Sequence, residues 1–200
     1  MIWRVRRVIT GHDADGKSIF IADGEAPNVK EMGSGSGLAI TELWETDRTP
    51  ASNAGSADAG NRKPRLEPAQ NGTVFRIVEF PPDTQWQSRA DARKWAEAID
   101  ASHAPDRTSS DPMMHKTSTV DYIIVLKGEI YAILDKGEKL LRAGDVFVQR
   151  GTNHSWSVRS NEACVIGVVL VDARPVGAKK TKTKRAAKRK TAKKAAKKKK

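Results

Sequence analysis

The stretch His115–Gly128, HKTSTVDYIIVLKG, decides the fold. Along an extended strand successive side chains alternate faces, so His115, Thr117, Thr119, Asp121, Ile123 and Val125 share one side. Val120, Tyr122, Ile124 and Leu126 share the other, which is apolar. A face that is polar at one end and apolar at the other suits the wall of a pocket.

The pattern continues towards the C-terminus. Glu129–Leu134 reads as a strand, Asp135-Lys136-Gly137 as a turn, Glu138–Leu141 as the return, Arg142-Ala143-Gly144-Asp145 as a second turn, and Val146–Gln149 as the next strand. After the turn-rich Arg150-Gly151-Thr152-Asn153, His154 and Trp156 share a face, and Cys164–Val171 is a last, nearly all-apolar strand. Short strands broken by Gly and Asp turns define an antiparallel sandwich or barrel. The fold class is all-β.

Upstream, Arg89–Ala101 sets Ala92, Trp95, Ala96 and Ile99 at helical spacing, predicting one short amphipathic helix with Trp95 as a core anchor. Thr73–Phe80 is a strand stopped by Pro81-Pro82. Thr46–Asn71 carries almost no large apolar residue and reads as a mobile surface loop, either covering a pocket mouth or an idle insertion. Leu38–Trp44 is a further strand. Met1–Thr10 and Ser18–Ala22 form a hairpin about Asp13-Ala14-Asp15-Gly16, whose D-x-D-G lacks the distal glutamate of a calcium loop. The expected division is 1–45, N-terminal strands of the barrel; 46–71, loop; 72–112, strand and helix; 113–173, barrel core; 178–200, tail.

Charge is unevenly spread. The chain of 200 residues has a formal net charge of +12, from 36 Lys and Arg against 24 Asp and Glu. Fourteen of the bases fall in 178–200, which has no acid, so the rest holds 22 bases (36 less 14) against 24 acids. The body is nearly neutral. A single cysteine, Cys164, excludes an internal disulfide framework and any paired-cysteine metal or redox site, and its apolar neighbours suit a small buried residue. No apolar run approaches the ~20 residues that span a bilayer, and no apolar segment follows the basic start. A cytoplasmic protein is the expectation.

The order of these residues resembles the cupin superfamily, whose first motif is H-x-H-x3-E-x6-G. Here stand His115-Lys116-Thr117, three residues, Asp121, six residues and Gly128. The spacing fits, with threonine at the second histidine and aspartate at the glutamate. The second motif, G-D-x4-P-x-G-x2-H-x3-N, is met by Gly144-Asp145, by Arg150 at the proline position, by Gly151, and by His154 one residue early; the closing asparagine is absent. The resemblance covers about sixty residues and implies a cupin-type antiparallel β-barrel (jelly roll). It also implies a divalent transition metal (Fe, Mn, Zn or Ni) held by His115, Asp121 and His154, a set that leaves positions open for substrate or dioxygen. The alternative is no metal, with both imidazoles neutral and hydrogen-bonded and Asp121 capping a turn or orienting one of them.

Other pocket candidates are Thr117, Tyr122, Gln149, Arg150, Asn153 and Trp156. Arg150 can pair with a carboxylate through its planar fork, or form a surface ion pair instead. His12 lies in a turn, and His103 closes the helix. In the tail, Lys179, Lys180, Lys182, Lys184, Arg185, Lys188, Arg189 and Lys190 lead a Lys/Ala-rich run similar in composition to linker-histone tails. With no aliphatic residue larger than alanine it has nothing to pack, and it suits non-specific binding of nucleic acid or another polyanion by counterion release. Nothing anchors a membrane. Two functions follow. One is a homodimeric cupin binding a small acidic or aromatic molecule as a metal-dependent oxygenase or decarboxylase. The other is a metal-free ligand-binding or sensor cupin tethered to nucleic acid by the tail, and nucleoid-associated in that case.

Overall fold

Alternating burial along the strands produces two facing antiparallel sheets. A computed structural model of the chain describes residues 2–32, 36–86 and 89–177, and the Lys/Arg-rich tail expected at 178–200 lies outside the described residues. The larger sheet joins β3 (Val29–Glu31), β4 (Ala39–Thr46), β5 (Thr73–Phe80), β6 (Thr119–Lys127), β9 (Val146–Gln149) and β11 (Cys164–Asp172) in the order β3-β4-β5-β11-β6-β9. The smaller joins β7 (Glu129–Leu134), β8 (Glu138–Arg142) and β10 (His154–Ser157) in the order β10-β7-β8. Every pairing is antiparallel.

The core lies between these sheets. Ile40, Val78, Phe80, Ile123, Val125, Ile166 and Leu170 come from the larger sheet and meet Ile130, Ala132 and Trp156 from the smaller. The helix α1 (Arg89–Ala98) and the residues after it add Ala96, Ile99 and Ala101, with Trp95 packed alongside. On β6 the alternation is clean: Thr119, Asp121, Ile123 and Val125 are buried, while Tyr122, Ile124 and Leu126 are exposed on the outer face beside Val146 and Val148. Gly128 ends this strand at φ +72°, where a Cβ would stand 2.8 Å from the Ala163 carbonyl oxygen. Only glycine fits there.

The N-terminal region departs from expectation. β4 belongs to the barrel, but β1 (Arg6–His12) and β2 (Ser18–Glu25) pair only with each other. Their exposed faces carry ion pairs such as Arg6–Asp23, too polar to enter a sheet buried on one side. The hairpin instead leans on the barrel through Val5, packed against Leu43, Ile77 and Val165, and through Arg7, which bonds the Leu43 carbonyl and Asp58. After Thr46, which ends β4, the segment to Asn71 contains no helix or strand, yet its second half is built in. Leu66 is in the core and its N–H donates to Ile99 O at 2.7 Å. Among the described residues no helix is long and apolar enough to cross a membrane. Cys164 is fully buried, and burial pushes its thiol up to about 12.

Candidate functional site

Two reciprocal backbone bonds bring the distant histidines together. His115 N–H donates to His154 O at 2.9 Å, and His154 N–H donates to His115 O at 2.8 Å. This small antiparallel bridge extends β10 onto the segment entering β6, and it sets the two imidazole centroids 4.2 Å apart. The Trp95 ring covers His115 at 5.1 Å, and the Trp156 ring meets His154 edge-on at 5.8 Å.

Each ring is held from behind. His115 Nδ1 lies 2.8 Å from the Met113 carbonyl oxygen; a carbonyl can only accept, so Nδ1 carries the proton and Nε2 keeps its lone pair. His154 Nδ1 sits between the Thr152 carbonyl at 3.0 Å and the Gln149 amide nitrogen at 2.7 Å. Gln149 is fixed in turn by bonds of 2.9 Å to the Thr152 carbonyl and hydroxyl. Burial holds His115 below the ordinary histidine range, and burial together with the neighbouring His115 takes His154 down to about 3. Both imidazoles are neutral at physiological pH.

Asp121, the second inward residue of β6 after Thr119, is 4% exposed, and its Oδ1 has no hydrogen-bond partner. Burial raises its carboxyl to about 6, against the opposing pull of the Thr119 hydrogen bond and the charge of Arg76. The Thr117 and Thr119 hydroxyls bond each other at 2.7 Å.

His115, His154, Thr117, Asp121 and Trp156 all line one cavity of about 80 Å³, whose remaining wall is mostly Trp, Phe, Ile, Leu and Val. At about 10–15 Å³ per water in this measure, it has room for on the order of five to eight waters, or one ring-sized molecule. Gln149 is buried behind His154. The other three expected pocket residues lie elsewhere. Tyr122 is 55% exposed on the outer face, as its even position in β6 requires. Arg150 is exposed at the end of β9, outside the cavity lining. Asn153 turns outward to Asp106 and Asp135, at 2.9 Å each. Near the surface, His12 is exposed and His103 meets Glu67 at 3.2 Å.

The cavity also holds a charge that the motif pattern does not indicate. Arg76, on β5, is 2% exposed and lines the cavity. Its Nη2 meets Glu42 Oε1 at 2.9 Å and donates to the Arg65 carbonyl at 2.6 Å. The available signal was strand parity, since Arg76 shares the inward face of β5 with Val74, Val78 and Phe80.

The donors do not fit a three-ligand metal centre as they stand. Among the described residues no three His, Cys, Asp or Glu side chains are gathered to hold an ion. Thr117 occupies the second-histidine position with its hydroxyl engaged by Thr119, and Asp121, one methylene shorter than glutamate, leans on Thr119 rather than on the imidazoles.

A two-sheet antiparallel barrel with inward imidazoles on its first and second motif segments is a cupin, and the chain belongs to the cupin-domain family. It is 31% identical over 179 residues to the cupin-domain-containing oxidoreductase virC of Hypocrea virens, covering 86% of this chain and 78% of that protein. It is 33% identical over 176 residues to the phomopsin biosynthesis cluster protein C' of Diaporthe leptostromiformis, covering 85% of this chain and 79% of the other. Among solved structures it is similar to the Schizosaccharomyces pombe Cnp3 cupin domain, with 11% identity and a TM-score of 0.42 over 85% of this chain and 89% of that one. No family model matches the chain.

Proposed function

We propose that this chain is an enzyme of the oxidoreductase class named in its virC relative, acting on a ring-sized, mainly apolar organic molecule inside the barrel. The single observation that carries this reading is the pair of buried imidazoles, 4.2 Å apart, lining a cavity with a mostly apolar wall. A neutral His115 with Nε2 unprotonated is a general base already in its working state, with no bound proton to shed first. The indole rings of Trp95 and Trp156 exclude water around it and offer flat surfaces to a ring. Asp121, raised to about 6, can hold or release a proton near neutral pH.

The test is aerobic incubation of the purified chain with a panel of small phenols, aromatic acids and hydroxy ketones, with and without added iron(II), followed by mass spectrometry. Turnover of at least one compound is expected, lost by at least 100-fold in a His115→Ala/His154→Ala variant. Equal turnover by the double variant would overturn the assignment. Elemental analysis of the same two proteins decides the metal question.

A second reading is a ligand-binding cupin without turnover, favoured by the absence of three gathered donors among the described residues. We also propose that the fourteen bases of 178–200 hold the protein on nucleic acid or another polyanion. Deleting that segment should abolish salt-sensitive retention on DNA and leave the melting temperature unchanged; equal retention by the truncated chain at low salt would contradict it.

A further inference from the structure

We infer that Arg76 is the anchor for an anionic oxygen, a carboxylate or phenolate, on the molecule that the cavity takes. The inference deepens the proposed function and rests on its ligand cavity.

The direct ion pairs around Arg76 are unevenly shared. Glu42 receives Arg76 at 2.9 Å and Arg62 at 3.5 Å. Glu45 receives Arg65 at 2.8 Å and makes a close ion pair with Arg62 as well. Three guanidinium groups therefore share two carboxylates. Arg65 reaches partial solvent, with 37% of its side chain exposed, but the Arg76 and Glu42 side chains are 3% and 1% exposed. Unlike water, an apolar interior does not compensate unmatched charge, and buried cations are almost always paired.

Arg76 is also short of acceptors. Glu42 and the Arg65 carbonyl both engage Nη2, while Nε is buried with no hydrogen-bond partner. Asp121 acts on Arg76 through space, yet the two form no ion pair. They rise from the same sheet with β11 between their strands, and both line the cavity. The other polar side chains of its lining, His115, His154 and Thr117, bring no negative charge. A guanidinium fixed on one edge, with donors left over and a ring-sized space beside it, is a recognition element for a planar anion. Arg150, exposed outside the lining, cannot serve this purpose.

The experiment compares benzoate with its neutral isostere benzamide on the full chain, read by the fluorescence of Trp86, Trp95 and Trp156, which line the cavity. Wild type should bind benzoate at least tenfold more tightly. Arg76→Met should remove that preference, while Arg150→Ala keeps it. Because Arg76→Met retains the basic tail, benzoate associating with the tail would survive the substitution and be recognised as such. Equal affinities in wild type, or an unchanged preference in Arg76→Met, would overturn the role of Arg76 while leaving the cavity intact. Failure of both probes to bind would overturn the ligand cavity itself. Should Arg76→Met not fold, the Glu42→Gln/Arg76→Met pair replaces it, and the wild-type preference still decides.

Discussion

The polar wall of the cavity has two regions that meet burial in opposite ways. Around His115 and His154 the groups give up charge: both imidazoles are neutral, tied to the backbone carbonyls of Met113 and Thr152. Around Arg76 charge is kept and shared, with Glu42, Glu45, Arg62 and Arg65 drawn in from β4 and the end of the 46–71 segment. The first arrangement leaves the His115 Nε2 lone pair free for chemistry and responds to acid. The second fixes a cation and responds to loss of a partner.

The sharpest way to break the comparison is to remove a partner from each side. Glu42→Ala strands Arg76 in the interior and leaves Arg62 to Glu45 alone, and a loss of about 3–5 kcal/mol is expected in urea denaturation. His154→Ala removes a neutral ring and should cost less, about 1–3 kcal/mol, through lost packing, since the Gln149 amide keeps its bonds to Thr152. Equal losses would mean that the histidine region also stores charge.

A smaller effect separates the two by pH. Asp121 lies between them, and its carboxyl is raised to about 6 from 3.8. Between those values the native state keeps a proton that the unfolded chain has released, so stability falls as pH rises through that window, and the cost is complete above about pH 6. Asp121→Asn removes it. The variant should be more stable than wild type by about 1–3 kcal/mol at pH 8 and equal to it near pH 3.5. The histidines act with the opposite sign: their native values lie below 6.5, so their contribution is present above that pH and is lost as pH falls. Taking the difference between wild type and variant cancels the histidine part. An Asp121→Asn melt at pH 8 at or below wild type would contradict the burial account.

Much of the barrel was legible because period-two burial is a local property. Thr73–Phe80, Glu129–Leu134 and Val146–Gln149 end where hydrophobic alternation meets Pro or Gly-Asp turns. Three-residue β3 leaves too short a pattern to be seen, and β10 showed only as two side chains on one face. The hairpin β1–β2 alternates like a barrel strand but stays outside, since alternation alone does not say which sheet a strand joins. In the site, proximity in sequence misled where parity would have served. Tyr122 and Arg150 stand beside site residues in sequence, but Asp121 and Gln149 face inward and the adjacent residues therefore face outward. Arg76 is hidden from a reading of sequence for a physical reason. A lone arginine on an inward face reads as an exception until the partners from 42, 45, 62 and 65 are in place, and those contacts are set by tertiary structure.

The most direct measurement is ¹⁵N NMR of the histidine rings across pH 8 to 5 in the full chain, with His115→Gln and His154→Gln used for assignment. The rings of His115 and His154 should still be singly protonated at pH 6.5, the ordinary imidazole midpoint, His115 with its proton on Nδ1. If either ring takes up a second proton near pH 6.5, burial does not hold the pair neutral, and the general-base reading fails with it.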